Sequence, residues 1–141
     1  MQTSHVRAEG RAYRTTATAG NAETAWVIDS DISTGHRYAD ISTYARRISD
    51  TLARTVGKAP HIDPQSLIDI AHQVPGKPGM AASIAVARRT PLTVDYAVLG
   101  MCAVIARTKA KELEVVQDRR WADVTRNQRA HLATALSMAV D

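Results

Sequence analysis

Phenylalanine is absent from this chain of 141 residues, and two tryptophans and four tyrosines supply all of its aromatic area. The core must therefore be built mainly from Ala, Val, Ile and Leu, which favours closely packed helices and strands over a roomy aromatic pocket. A single cysteine, Cys102, excludes an internal disulfide and suits a reducing, cytoplasmic setting. Long apolar runs are missing as well. The longest, residues 96–106, falls far short of the ~20 residues a spanning helix needs. Arg7, Glu9, Arg11 and Arg14 break up the N-terminus, so it has no signal-peptide core. The histidines at 5, 36, 61, 72 and 131 show no metal-ligand spacing, which argues against zinc. These absences describe a cytoplasmic protein that does not engage a membrane.

What is present fits one globular domain. Hydrophobic residues make up 45% and charged residues 23%, and the length allows a sizeable core. The net charge is +4, with arginine far outnumbering lysine. Three arginine pairs, Arg46-Arg47, Arg88-Arg89 and Arg119-Arg120, fall in different predicted elements. No aromatic-interleaved basic stripe joins them, so they are expected to be solvated faces and not a nucleic-acid surface.

Residues 1–10 are polar and predicted to be loose, leaving 11–141 as the domain. Residues 11–19 are Thr-rich and weakly alternating, a candidate edge strand, and Gly20-Asn21 turns the chain into an apolar second strand at 25–28. From Asp40 the period becomes helical. Ile41, Ala45, Ile48, Leu52 and Val56 stack on one face, opposite Arg46, Arg47, Asp50 and Arg54. Asp40 is the candidate N-cap, and Gly57 the stop. Asp63-Pro64 announces a second helix, with Leu67, Ile68, Ala71 and Val74 on its apolar face before Pro75-Gly76. The period then shortens to two over 80–88, 93–99, 102–107 and 112–117, four strands with meander spacing. Trp121, Val124, Gln128, Leu132, Ala135 and Ala139 describe a C-terminal helix. The expected class is α+β, with helices covering antiparallel sheet.

The chemistry concentrates in residues 21–31. An apolar strand delivers Asp29 and Asp31 to a polar turn, and carboxylates fixed at the end of a buried strand are well placed for a metal or phosphate. His36, in the loop that follows, is placed to act as an acid or base. Singly, Asp31, Ser33 and Thr34 also fit ordinary turn chemistry, and His36 a solvated loop position. Cys102, among apolar neighbours, reads as a small buried hydrophobe, or as a reactive thiol if Gly100 opens onto the pocket of Asp29.

Four stretches together resemble a known family. Asn21-Ala22-Glu23 and Trp26-Val-Ile-Asp29-Ser30 open the chain, Asp40 to Leu52 follows as a long helix, and the pair 81–88 and 94–100 forms a hairpin. In this order the chain resembles the protein phosphatase 2C (PPM-type) metal-dependent phosphatases, particularly their divergent actinobacterial branch, from about Ala12 to Ala135. The resemblance implies an α+β domain with antiparallel sheet layers flanked by helices, and a site where two Mn or Mg ions share Asp29, with Glu23 beside it. The departures bear on function. Ser30 replaces the glycine of the family's Asp-Gly motif, Gly100-Met101 replaces a Gly-Asp pair, and the late strands with further acidic ligands have no counterpart before Asp141. A two-metal site needs several carboxylates to offset four positive charges.

Asp29-Ser30-Asp31 also matches the opening of haloacid-dehalogenase-like phosphotransferases, without their later acidic pair. An EF-hand-like loop through Asp29, Asp31, Ser33 and Asp40 has its glycine one place late, at Gly35. The expectation is a shortened phosphatase-2C-like domain acting as a non-catalytic binding or regulatory module, which dimerises or docks with a protein partner over an uncovered sheet. The alternatives are a small enzyme acting on a small-molecule ligand through Asp29, Asp31, Glu23 and His36, and a metal-dependent phosphoester hydrolase.

Overall fold

The computed structural model describes residues 16–30, 35–107 and 112–120. The predicted loose segment 1–10, the start of the first strand and the C-terminal helix lie outside the described residues, as does Asp31.

The described chain is an α+β fold: β1 (Thr16–Gly20), β2 (Thr24–Ser30), α1 (Tyr38–Lys58), α2 (Pro64–His72), β3 (Ala82–Arg89), β4 (Val94–Leu99), β5 (Ala103–Arg107) and β6 (Leu113–Gln117). Asn21 makes the β1–β2 turn, its side-chain oxygen accepting from the N–H groups of Glu23 (2.9 Å) and Thr24 (2.7 Å). After β2 the chain leaves the sheet, forms both helices, and returns as β3 beside β2. Four antiparallel strands result, in the order β1-β2-β3-β4, with β5 and β6 paired as a separate hairpin. The four strands expected over 80–117 therefore exist, but not as one meander. Gly100 turns the chain away after β4, and β5 starts a second sheet.

Both helices cover one face of the main sheet, α1 over β1 and β2, and α2 over β3 and β4. Strand alternation selects the residues beneath them. Trp26 and Ile28 of β2 pair in register with Val86 and Ile84 of β3. They meet Ala45, Ile48, Leu52 and Val56 of α1 and Leu67, Ile68 and Ala71 of α2 in one core. Both apolar helix faces read from the sequence are buried as expected. Trp26, the one aromatic ring fully buried in this core among the described residues, keeps its polar atom satisfied, since its Nε1 donates to Ser49 Oγ of α1 at 3.0 Å.

Helix ends differ from the expectation at α1 and match it at α2. Asp63 caps α2 by accepting from the Ser66 N–H at 2.9 Å, with Pro64 in the first turn. Asp40 does not cap α1. The helix begins two residues earlier, behind Arg37, which makes no side-chain cap. Asp40 instead lies in the first turn, where a carboxylate suits the positive end of the helix dipole. It binds Lys77 at 2.8 Å and Arg37 at 3.1 Å, tying α1 to the loop before β3. Gly57 does not end the helix either. The helix runs on to Lys58, and the Ala59 N–H closes it on the Thr55 carbonyl. Among the described residues no helix is long and apolar enough to cross a membrane.

Candidate functional site

Alternation along β2 decides where its acidic residue stands. Thr24, Trp26, Ile28 and Ser30 are buried towards the helices, so Asp29 occupies the opposite face, half-buried. In register it lies between Thr16 of β1 and Ser83 of β3.

On this outer face the β4–β5 corner folds over Ser83. Gly100 adopts φ 75°, a left-handed conformation that favours glycine. Its backbone also packs so closely that a Cβ there would lie 2.5 Å from Ser83 Oγ. The next N–H, of Met101, donates to that same Ser83 Oγ at 2.9 Å. Asp118, just after β6, accepts the Gly100 N–H at 3.1 Å and also binds Arg120 Nε at 3.1 Å. Its side chain is only 8% exposed. Cys102 completes the corner and is half-buried. Burial, and secondarily the negative charge of Asp29, push its thiol up to about 11. A thiol held up in this way is a poor nucleophile at neutral pH, which weighs against the reactive-thiol reading.

Glu23 and His36 are placed elsewhere. Glu23 stands at the opposite end of β2, six residues from Asp29, so the extended strand separates them by about 20 Å. One ion cannot bind both. His36 is half-buried, and its Nε2 lies 2.9 Å from the Pro78 carbonyl oxygen, which joins it to the loop before β3. Of the predicted site residues that are described, Asp29 alone belongs to the corner. The residues grouped with it, Ser83, Gly100, Cys102 and Asp118, come from three later segments. The sequence signals for them were slight: a lone serine inside the apolar run 81–87, and a glycine between two strands. Among the described residues no group of three or more His, Cys, Asp or Glu side chains gathers as a metal site.

The arginine pairs are equally dispersed. Arg46 and Arg47 are exposed on α1. Arg88 Nη1 donates to the His61 carbonyl at 2.8 Å, and Arg120 serves Asp118.

Hydrogen bonding from Arg120, and then from the Gly100 N–H, holds the Asp118 carboxyl below its ordinary value of 3.8. A carboxylate whose folded value is depressed stabilises the fold fully above the unfolded value, and that contribution disappears as pH falls through the folded one. Asp118→Asn is therefore expected to flatten the acid limb of the stability curve below about pH 4. Urea midpoints measured across pH 2–6 check this, and an unchanged acid limb would remove Asp118 from the corner's hydrogen bonding.

No family model, curated protein or solved structure matches this chain.

Proposed function

We propose that this chain is a non-catalytic binding module of the phosphatase-2C-like type, which acts by presenting sheet surface to a protein partner. The observation that carries the reading is the β5–β6 hairpin, where Ile105, Leu113 and Val115 remain 69%, 71% and 57% exposed. Large aliphatic side chains clustered on one exposed strand face mark an interaction surface more often than an isolated exposed residue does. Two further features support it. The order of two strands, two helices and a run of antiparallel strands is the order the family resemblance implies. At the Gly100 turn, the Asp118 carboxylate is already engaged by the Gly100 N–H and by Arg120. A second divalent ion there would have to displace those bonds, and two ions need more negative charge than Asp29 supplies.

Calorimetric titration with Mn or Mg tests the reading, with Asp29→Asn as control. The expected result is no saturable binding up to millimolar metal. Micromolar binding abolished by Asp29→Asn would overturn it in favour of a metal-dependent phosphoester hydrolase.

A further inference from the structure

The hairpin has two apolar faces, of which its own sheet covers one. Register places Val104 opposite Val116 and Ala106 opposite Glu114 on the first face. Val104, Ala106 and Val116 are half-buried, and Glu114 accepts the Tyr96 hydroxyl of β4 at 2.9 Å. This face looks onto the outer side of the main sheet. The second face carries Ile105 opposite Val115, Arg107 opposite Leu113 and Ala103 opposite Gln117. A two-stranded ribbon is marginal by itself, and a layer with apolar residues on both sides is stable when both sides are covered.

We infer that the second face of the β5–β6 hairpin pairs with the same face of a second copy of this chain, sheet on sheet and antiparallel about the Ile105–Val115 pair. This rests on the binding-module reading above and names its partner. The argument for a second copy is that the face complements itself. Its bulky end holds Leu113 and Arg107, the one charged residue among the described positions of this face; its slighter end holds Ala103 and the neutral Gln117. A two-fold axis across the strands at Ile105 and Val115 sets those two residues against their own copies. It lays Leu113 over the second copy's Gln117, and the Arg107 stem over the second copy's Ala103. The two guanidinium groups then emerge at opposite ends of the interface, in water. An axis along the strands would bring the same ends together and crowd like charges. The antiparallel arrangement is isologous and closes at two copies.

The face is small beside the roughly 20–30 residues that each side of a standard interface contributes. The dimer is therefore weak, forming over a micromolar to millimolar range. Sedimentation equilibrium from about 10 µM to about 1 mM should show the dimer fraction rising with concentration. Ile105→Glu should remain monomeric throughout, with an unchanged circular dichroism spectrum. A wild-type monomer at every concentration, or a dimer retained by Ile105→Glu, overturns the inference.

Cross-linking tests the geometry without relying on a disruptive variant. Stacked sheets lie about 10 Å apart, too far for a disulfide but within reach of a short bis-maleimide. In a Cys102→Ser background, Ile105→Cys and Val115→Cys should each cross-link to themselves. Leu113→Cys should not, because the two copies of that site are offset along the strands by about 13 Å, but it should link to Gln117→Cys when the two variants are mixed. Self-linking of Leu113→Cys as efficient as that of Ile105→Cys overturns the antiparallel arrangement. Metal binding by Asp29 would defeat the binding-module reading and leave these results unmoved. A monomer that still captured another protein through the hairpin would defeat the second copy alone.

Discussion

Trp26→Ala is expected to lower the free energy of unfolding by about 3–5 kcal/mol, the usual loss for truncating a large buried aromatic side chain. Domains have a total stability of about 5–15 kcal/mol, so this one change leaves the fold marginal. The size of the effect follows from position. Trp26 is 5% exposed, pairs with Val86 across β2 and β3, and reaches α1 through Ser49. It thus joins the sheet to the longer helix, in a chain with no phenylalanine to share that role. Ser49→Ala separates packing from hydrogen bonding. It leaves the indole N–H buried and unpaired, which is expected to cost about 1–3 kcal/mol. In the Trp26→Ala background the same change should cost far less, because the donor is already gone. Urea denaturation of the two single variants and the double variant measures this coupling. Additive losses would mean that the 3.0 Å bond contributes nothing to stability.

Gly100→Ala is the second large effect, a loss of about 2–5 kcal/mol. Left-handed backbone costs a residue with a Cβ about 1–2 kcal/mol, and forcing an atom into a filled site adds roughly 1–3 kcal/mol. Both terms apply at Gly100, whose φ is 75° and whose Cβ would meet Ser83 Oγ and Cβ. Displacing Ser83 also breaks its bond to the Met101 N–H, so the corner that turns the chain from β4 into β5 loosens. Gly35 provides the comparison. Its φ is 74°, and a Cβ there would have nothing within 4 Å, so Gly35→Ala meets the backbone strain without the clash. Equal losses at the two positions, read from urea midpoints, would show that conformation alone governs Gly100. A larger loss at Gly100, together with faster amide exchange at Met101, locates the difference in the contact with Ser83.

The sequence by itself determined the elements whose cause is local. The 4-3-4-4 spacing from Ile41 to Val56 and the run from Leu67 to Val74 identified the buried helix faces, because residues three and four apart share a side whatever the rest of the chain does. Asp63-Pro64 identified the start of α2 because a cap and a proline act within one turn. Alternation and turn residues located the four later strands to within about two residues, the usual uncertainty of element ends. Asp40 misled because two reasons place a carboxylate near a helix start, capping and the dipole, and only the bonds to Lys77 and Arg37 show which applies.

Only the tertiary structure decided how the strands combine and what that brings together. Period two states that residues alternate, not which set faces the core, so Asp29 was readable as the end of a strand but not as a member of the outer face. Its separation from Glu23 follows from the extended strand β2 that lies between them. Its neighbours Ser83 and Cys102 follow from β3 returning beside β2 and from the turn at Gly100, which Asp118 also holds. The separation of β5–β6 from the main sheet, and with it the exposed face of Ile105, Leu113 and Val115, has the same origin. Strand pairing joins residues far apart in the chain, and which pairing forms depends on the apolar area each arrangement buries. That is a property of the assembled layers and of no single segment.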